Sequence, residues 1–221
     1  MQLDFSILVK YLPDFGAALM VTLQVTVCSL LLGLLFSIPL SLFKISGVKP
    51  LEWFAAFYTS IFRGVPLMVQ VFMMYFGVPL VLPVKFTAFT AGTLVFSMNS
   101  AAYISESMRG GIRAIDKGQY EAAMALGVKY VPMMKDIILP QAIKSVMPSL
   151  VNEFISLLKN TTLIASIGLV DILRVGQLIQ SRTYRAFEPF FAIAVFYYIL
   201  VMGLSFLGKL LERWVNKSDR R

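Results

Sequence analysis

The sequence predicts an all-α integral membrane protein with five transmembrane helices, its N-terminus outside and its C-terminus in the cytoplasm. Apolar residues make up 58% of the chain and mean hydropathy is +0.77, while charged residues fall to 14%, against roughly 25% in a soluble domain. That much apolar surface exceeds what one small core hides, and lipid is the simplest solvent for the excess. Stretches of about 20 mostly apolar residues, the length that crosses a bilayer, recur five times. Lys and Arg gather in alternate connections between them, as cytoplasmic loops do.

The first stretch runs from Gly16 to Phe43. The first charge is Asp4 and no basic segment precedes the apolar run, which is also too long for a signal sequence, so it reads as a retained span. The second runs from Trp53 to Tyr75, with Arg63 and Pro66 as blemishes and Glu52 and Arg63 near its cytoplasmic end. The third covers Phe86 to Met108, the fourth Ile137 to Leu158 and the fifth Pro189 to Leu211. Pro39 and Pro66 are expected to kink their helices. Residues 162–180 are amphipathic but carry Asp171 and Arg174, which a full span would bury at high cost. They read as a short helix on the outer surface or against the bundle; a sixth span through them is the alternative, which would put the tail outside and break the charge bias. No repeat, low-complexity segment or second domain appears, so residues 1–221 form one unit.

Orientation follows from the basic residues. Lys44, Lys49 and Arg63 follow the first stretch; Arg109, Arg113, Lys117, Lys129, Lys135 and Lys144 surround the connection after the third; Lys209, Arg213, Lys217, Arg220 and Arg221 close the chain. The other side holds only Lys10, Lys85, Lys159, Arg174, Arg182 and Arg185. The net charge of +8 therefore belongs to membrane topology, and no nucleic-acid module accompanies it. With no histidine, the commonest general base and metal ligand is missing. The single Cys28 makes neither an internal disulfide nor a metal cluster. An enzyme is left with scattered carboxylates, and no metal site is expected.

Residues 109–136 are polar enough to leave the membrane. Gln119 to Leu126 is rich in good helix formers. Gly127 suits the left-handed position after a helix, and a second short helix is expected from about Pro132. Small Ala122, Ala123 and Ala125 would let this handle lie close against a partner, with Glu121 pairing to a basic group there or capping its own segment. The pattern is demanding: Glu121-Ala122-Ala123, three residues, Gly127, nine residues, then Ile137-x-Leu139-Pro140.

This pattern resembles the coupling loop of permease subunits of ATP-binding-cassette importers. The segments Arg63–Leu67 with Gln70, Tyr75–Pro79, Ala102–Glu106, Arg109–Ile112, Asp116–Tyr120, Asn152–Lys159 and Ile167–Leu169 are similar to the polar amino acid uptake branch, which carries histidine, glutamine, arginine or cystine. The resemblance covers roughly residues 63–180. It implies a bacterial inner-membrane, multi-pass permease whose handle, Glu121, Ala122, Ala123, Gly127 and Tyr130 included, docks on a separate ATPase dimer. It further implies a second permease chain, identical or homologous, and an extracytoplasmic solute-binding protein. This chain binds no cofactor of its own; ATP and Mg belong to the ATPase, and no phosphate-binding glycine loop occurs here.

Polar residues within spans default to functional hypotheses. Asn99, Tyr103 and Glu106 recur at helical spacing on the third stretch, and Ser149, Glu153, Ser156 and Asn160 on the fourth. The two stripes are expected to face one another across a substrate path, with Gln70 contributing from the second stretch. Their competing role is plain helix–helix hydrogen bonding. Glu153 suits an ammonium group, through charge-assisted hydrogen bonds, and Pro148 would free a backbone carbonyl nearby. In the family, counterparts of Glu153 and Asn160 are implicated in substrate contact; Asn160 stands where the family often has Asp, which removes a negative charge. Lys159 is expected to snorkel outward or pair with an acid. An ion-coupled secondary transporter is the alternative, but it usually shows inverted repeats, and none is visible.

Overall fold

The computed structural model describes residues 3–216, and the described residues are almost wholly helical with no strand among them. Lys217, Arg220 and Arg221, counted above toward a basic tail, lie outside the described residues. A 3-10 turn, Phe5–Tyr11, leads into α1, Leu12–Ile45. Then follow α2, Lys49–Gly64; α3, Leu67–Val81; α4, Ala88–Arg113; and α5, Lys117–Ala125. A continuous α6, Tyr130–Ile167, leads to α7, Ile172–Thr183, and α8, Phe187–Asn216.

Phe5–Ile45 and Phe187–Val215 are each long and apolar enough to cross a membrane, while α2 with α3 and α6 with α7 reach that standard only as bent pairs. α4 does not reach it. Its polar Ser97, Asn99, Ser100 and Ser105 are tolerated because it is the central helix, with all four buried. α1 lies along α4 through a stripe of small or short side chains, Thr22, Thr26, Ser29, Gly33 and Ser37, all buried. A methyl at Gly33 would sit 3.0 Å from the Ser100 Cβ, so glycine permits the close approach that drives helix association in lipid. A central apolar cluster of Val25, Val71, Val95, Phe96, Leu157 and Ile164 joins α1, α3, α4 and α6.

One expectation needs correction. The second stretch is not one kinked helix: α2 and α3 meet at 103°. Pro66 has no amide hydrogen and forces Val65 into extended backbone, φ −92°, ψ 135°, so the helix ends rather than bends. The helix that carries the fourth stretch is already under way at Tyr130. It is π-helical over Met133–Ile138, where the Leu139 amide reaches back to the Met134 carbonyl. A second π-turn, Met73–Gly77, is closed by Val78 in the same way. Each π-turn ends two residues before a proline, Pro79 or Pro140, and widens the turn where an amide is missing. Helical structure in α4 continues to Arg113, into the expected handle segment 109–136. Pro39, in contrast, lies within an unbroken α1.

Candidate functional site: an exposed handle and a polar helix interface

The handle is built as the sequence requires. Asp116 caps α5 by accepting the Gly118 amide at 2.6 Å. At the other end Gly127 has φ +73°. The Gly127 amide donates to the Met124 carbonyl at 2.9 Å and the Val128 amide to the Ala123 carbonyl at 3.0 Å, the paired closure that a left-handed residue after a helix permits. The handle has its own small core of Ala123, Met133 and Ile138, flanked by Ile112, Ile115, Tyr120 and Val128. Burial pushes the Tyr120 phenol above its ordinary pKa, and Tyr130 adds to the effect.

This geometry divides the motif by role. Ala123 is 3% exposed and faces the handle's own core rather than its outer surface. Its small size seats α5 on the π-helical start of α6. Glu121 and Ala122 are exposed, together with Met124, Leu126, Tyr130 and Val131. The handle's second arm is also the first turn of α6, so a push on it acts directly on a long helix.

The polar stripes meet differently from expectation. Glu153 on α6 accepts a 2.7 Å hydrogen bond from Ser100 of α4 on Oε1. Its Oε2 has no protein partner among the described residues. Ser100 was not among the residues singled out from sequence; it lies beside the Asn99 stripe, and no spacing rule marks it. Asn99 and Gln70 serve the broken joint. With Pro66 unable to donate, the Phe62 carbonyl loses its helical partner and accepts instead from Asn99 Nδ2 at 2.6 Å and Gln70 Nε2 at 3.0 Å. Gln70 Nε2 also reaches the Val65 carbonyl at 2.8 Å. Tyr103 is 40% exposed, with the Arg63 guanidinium 5.0 Å from its ring centre. Ser149 is exposed, while Ser156 and Asn160 are half-buried on the Glu153 side of α6. Asn160 is two turns from Glu153, about 10 Å along the axis. Pro148 lies inside α6 without ending it.

Glu106 pairs helices. Its Oε1 takes a 2.7 Å bond from Lys44 Nζ, and its Oε2 a 2.6 Å bond from Arg109. Lys44 Nζ also donates to Ser105 Oγ at 2.7 Å. Lys44, read from sequence as a loop cation, is therefore buried and locks α1 to α4. Lys159 is exposed. Among the described residues no cluster of His, Cys, Asp or Glu has the makings of a metal site.

Residues 29–217 match the model of the binding-protein-dependent transport system inner membrane component family. The chain belongs to that family. It is 46% identical over 219 residues to the arginine transport system permease protein ArtQ of Bacillus subtilis, covering 99% of this chain and 100% of the relative. It is 45% identical over 212 residues to a putative glutamine transport system permease protein GlnP of Rickettsia felis, covering 95% and 97%. The crystal structure of an amino acid ABC transporter with histidines superposes with a TM-score of 0.92 at 41% identity, covering 96% of this chain and 99% of that one. An inward-facing methionine ABC transporter, MetNI, shares the fold at a TM-score of 0.81 and 19% identity, covering 93% and 98%. This family member is thus a transport permease component, a membrane protein and not a catalyst.

Proposed function

We propose that this permease is a transmembrane subunit of an ATP-driven importer that carries a polar amino acid into a bacterial cell by alternating access. The exposed handle carries the reading. Leu126 is 83% exposed and Met124 61%, on a short helix that sits off the long apolar ones among basic residues. An apolar face of this kind suits a protein partner. Relatives named for arginine and glutamine transport support the amino acid class. The partner is a separate ATPase dimer that holds ATP and Mg. In this reading the chain crosses five times, through α1, the α2–α3 pair, α4, α6 and α8, with the handle in the cytoplasm, the N-terminus outside and α7 toward the outer side. A second permease chain completes the path, and a solute-binding protein delivers substrate from outside the inner membrane.

In this reading ATP-driven closure of the ATPase pair moves the handles together, and α6 turns as a rigid body. Glu153 Oε2 receives the substrate ammonium, with Asn160 and Ser156 further along the same helix. Asn99 and Gln70 hold the broken helix that shapes one wall, and Tyr103 with Arg63 stands beside it. The test is co-expression with the ATPase subunit and measurement of transport-coupled hydrolysis in vesicles. Glu121→Lys should leave the chain in the membrane and abolish stimulated hydrolysis. Unchanged hydrolysis and uptake in that variant would remove the docking role.

A further inference from the structure

Between the first turns of α1 and the length of α7 lies a crevice of about 290 Å³. Its wall is mostly apolar, with Ala17, Val21, Val170 and Val175 among the lining residues. Two charged side chains line it as well, Asp14 and Arg182. Both are exposed, and neither makes an ion pair or hydrogen bond to the protein among the described residues. Nearby charges on the same face are engaged: Arg174 bonds Gln177, Arg185 bonds Glu188, and Asp171 caps α7. A carboxylate in the first turn of α1 and a cation in the last turn of α7 each suit their helix end. That preference explains the signs, but not why both line one crevice and stay apart.

Asp14 stands in the first turn of α1 and Arg182 in the last turn of α7, and the apolar wall runs along both helices from them. Val21 is seven residues past Asp14, about 10 Å deeper along α1. The flanking surface, Leu12 and Met20, is exposed and apolar. An anion site, an ammonium site and an apolar slot in that order match one chemistry: a phospholipid whose headgroup bears both a phosphate and a primary ammonium. We propose that this crevice holds one aminophospholipid, with Arg182 on the phosphate, Asp14 on the ammonium and an acyl chain along Val21 and Val175. A free amino acid offers the same pair of charges, but it has no use for the apolar slot. A quaternary headgroup lacks the N–H that Asp14 needs. The site rests on the membrane setting of the family and not on which solute is carried.

The experiment is native mass spectrometry of the purified transporter in detergent, with phosphatidylethanolamine, phosphatidylcholine or phosphatidylglycerol of identical chains added. Retention of the ethanolamine lipid should exceed that of the choline lipid roughly tenfold, the scale of one charge-assisted hydrogen bond. Asp14→Asn should bring that ratio close to one, and Arg182→Gln should lower retention of all three. Both side chains are exposed, and an unchanged melting temperature of each variant in lipid-free detergent confirms that it folds. Equal retention of ethanolamine and choline lipids by the wild type overturns the proposal, as does a ratio unaffected by Asp14→Asn. Stabilisation of the lipid-free protein by a free amino acid, lost in Asp14→Asn, overturns the lipid as occupant. None of these outcomes alters the importer reading, which uptake measurements test separately.

Discussion

The joint between α2 and α3 makes a quantitative prediction. Pro66 leaves the Phe62 carbonyl without a helical partner, and two amides replace it: Asn99 Nδ2 at 2.6 Å and Gln70 Nε2 at 3.0 Å. Asn99→Leu removes one of these and leaves the other. Hydrogen bonds between membrane helices average about 0.6 kcal/mol, so the single change should destabilise by about that amount. Gln70→Leu also strands the Val65 carbonyl, which is accessible, and should cost about 1 kcal/mol. The double variant leaves Phe62 with no acceptor bond at all. An orphaned, partly buried carbonyl costs about 1–3 kcal/mol, so the double should exceed the sum of the singles by about 1 kcal/mol or more, since shared partners break additivity. The assay is equilibrium unfolding of the purified permease in micelles, read as a double-mutant cycle. Additive singles would refute the shared-carbonyl account. Weakened substrate affinity in either single, with stability unchanged, would return Asn99 and Gln70 to the substrate path.

Other consequences follow from the same geometry. Glu106→Gln leaves Lys44, whose side chain is 5% exposed, without its counter-charge; a fully buried broken pair costs about 3–5 kcal/mol, and the loss here should be about 2 kcal/mol given that the Glu106 side chain is 26% exposed and the Ser105 bond is retained. The double change with Lys44→Met should recover most of it in the same unfolding assay. Gly127→Val forces a branched side chain into φ +73° and should cost about 1–3 kcal/mol locally, read as faster hydrogen exchange of the Val128 and Gly127 amides with the remaining helices unchanged. Glu153→Gln keeps the Ser100 contact but removes the charge, so uptake affinity should fall about tenfold or more if Oε2 holds an ammonium; equal affinity in transport assays would reduce the residue to a helix–helix contact.

Features with a strict local cause were legible in the sequence. The handle's glycine turn follows from one left-handed residue after a run of helix formers, and the structure has it. The long apolar α1 and α8 declare themselves by composition. What depends on neighbours was hidden. Nothing in a single sequence says that Ala123 turns inward while Ala122 turns outward, since that choice is made by the π-helical start of α6 packing beneath it. Lys44 reads as a loop cation until α4 supplies Glu106 and Ser105. Asn99 and Gln70 read as pore polarity because the carbonyl that engages them belongs to the backbone, and backbone acceptors leave no sequence mark. Pro66 was visible, but whether it bends or ends a helix rests on whether the Phe62 carbonyl it orphans finds new donors.

The central claim is that one face of the handle meets a separate motor on the cytoplasmic side. Single cysteines at Glu121, Ala122 and Ala123, in a Cys28→Ala background, test it most directly. The account predicts that Glu121→Cys and Ala122→Cys crosslink to the co-expressed ATPase subunit and resist an impermeant thiol reagent in intact cells, while Ala123→Cys does neither crosslink nor label, being enclosed by Met133 and Ile138. Labelling of Glu121→Cys from outside the intact cell, or crosslinking through Ala123→Cys alone, would contradict it.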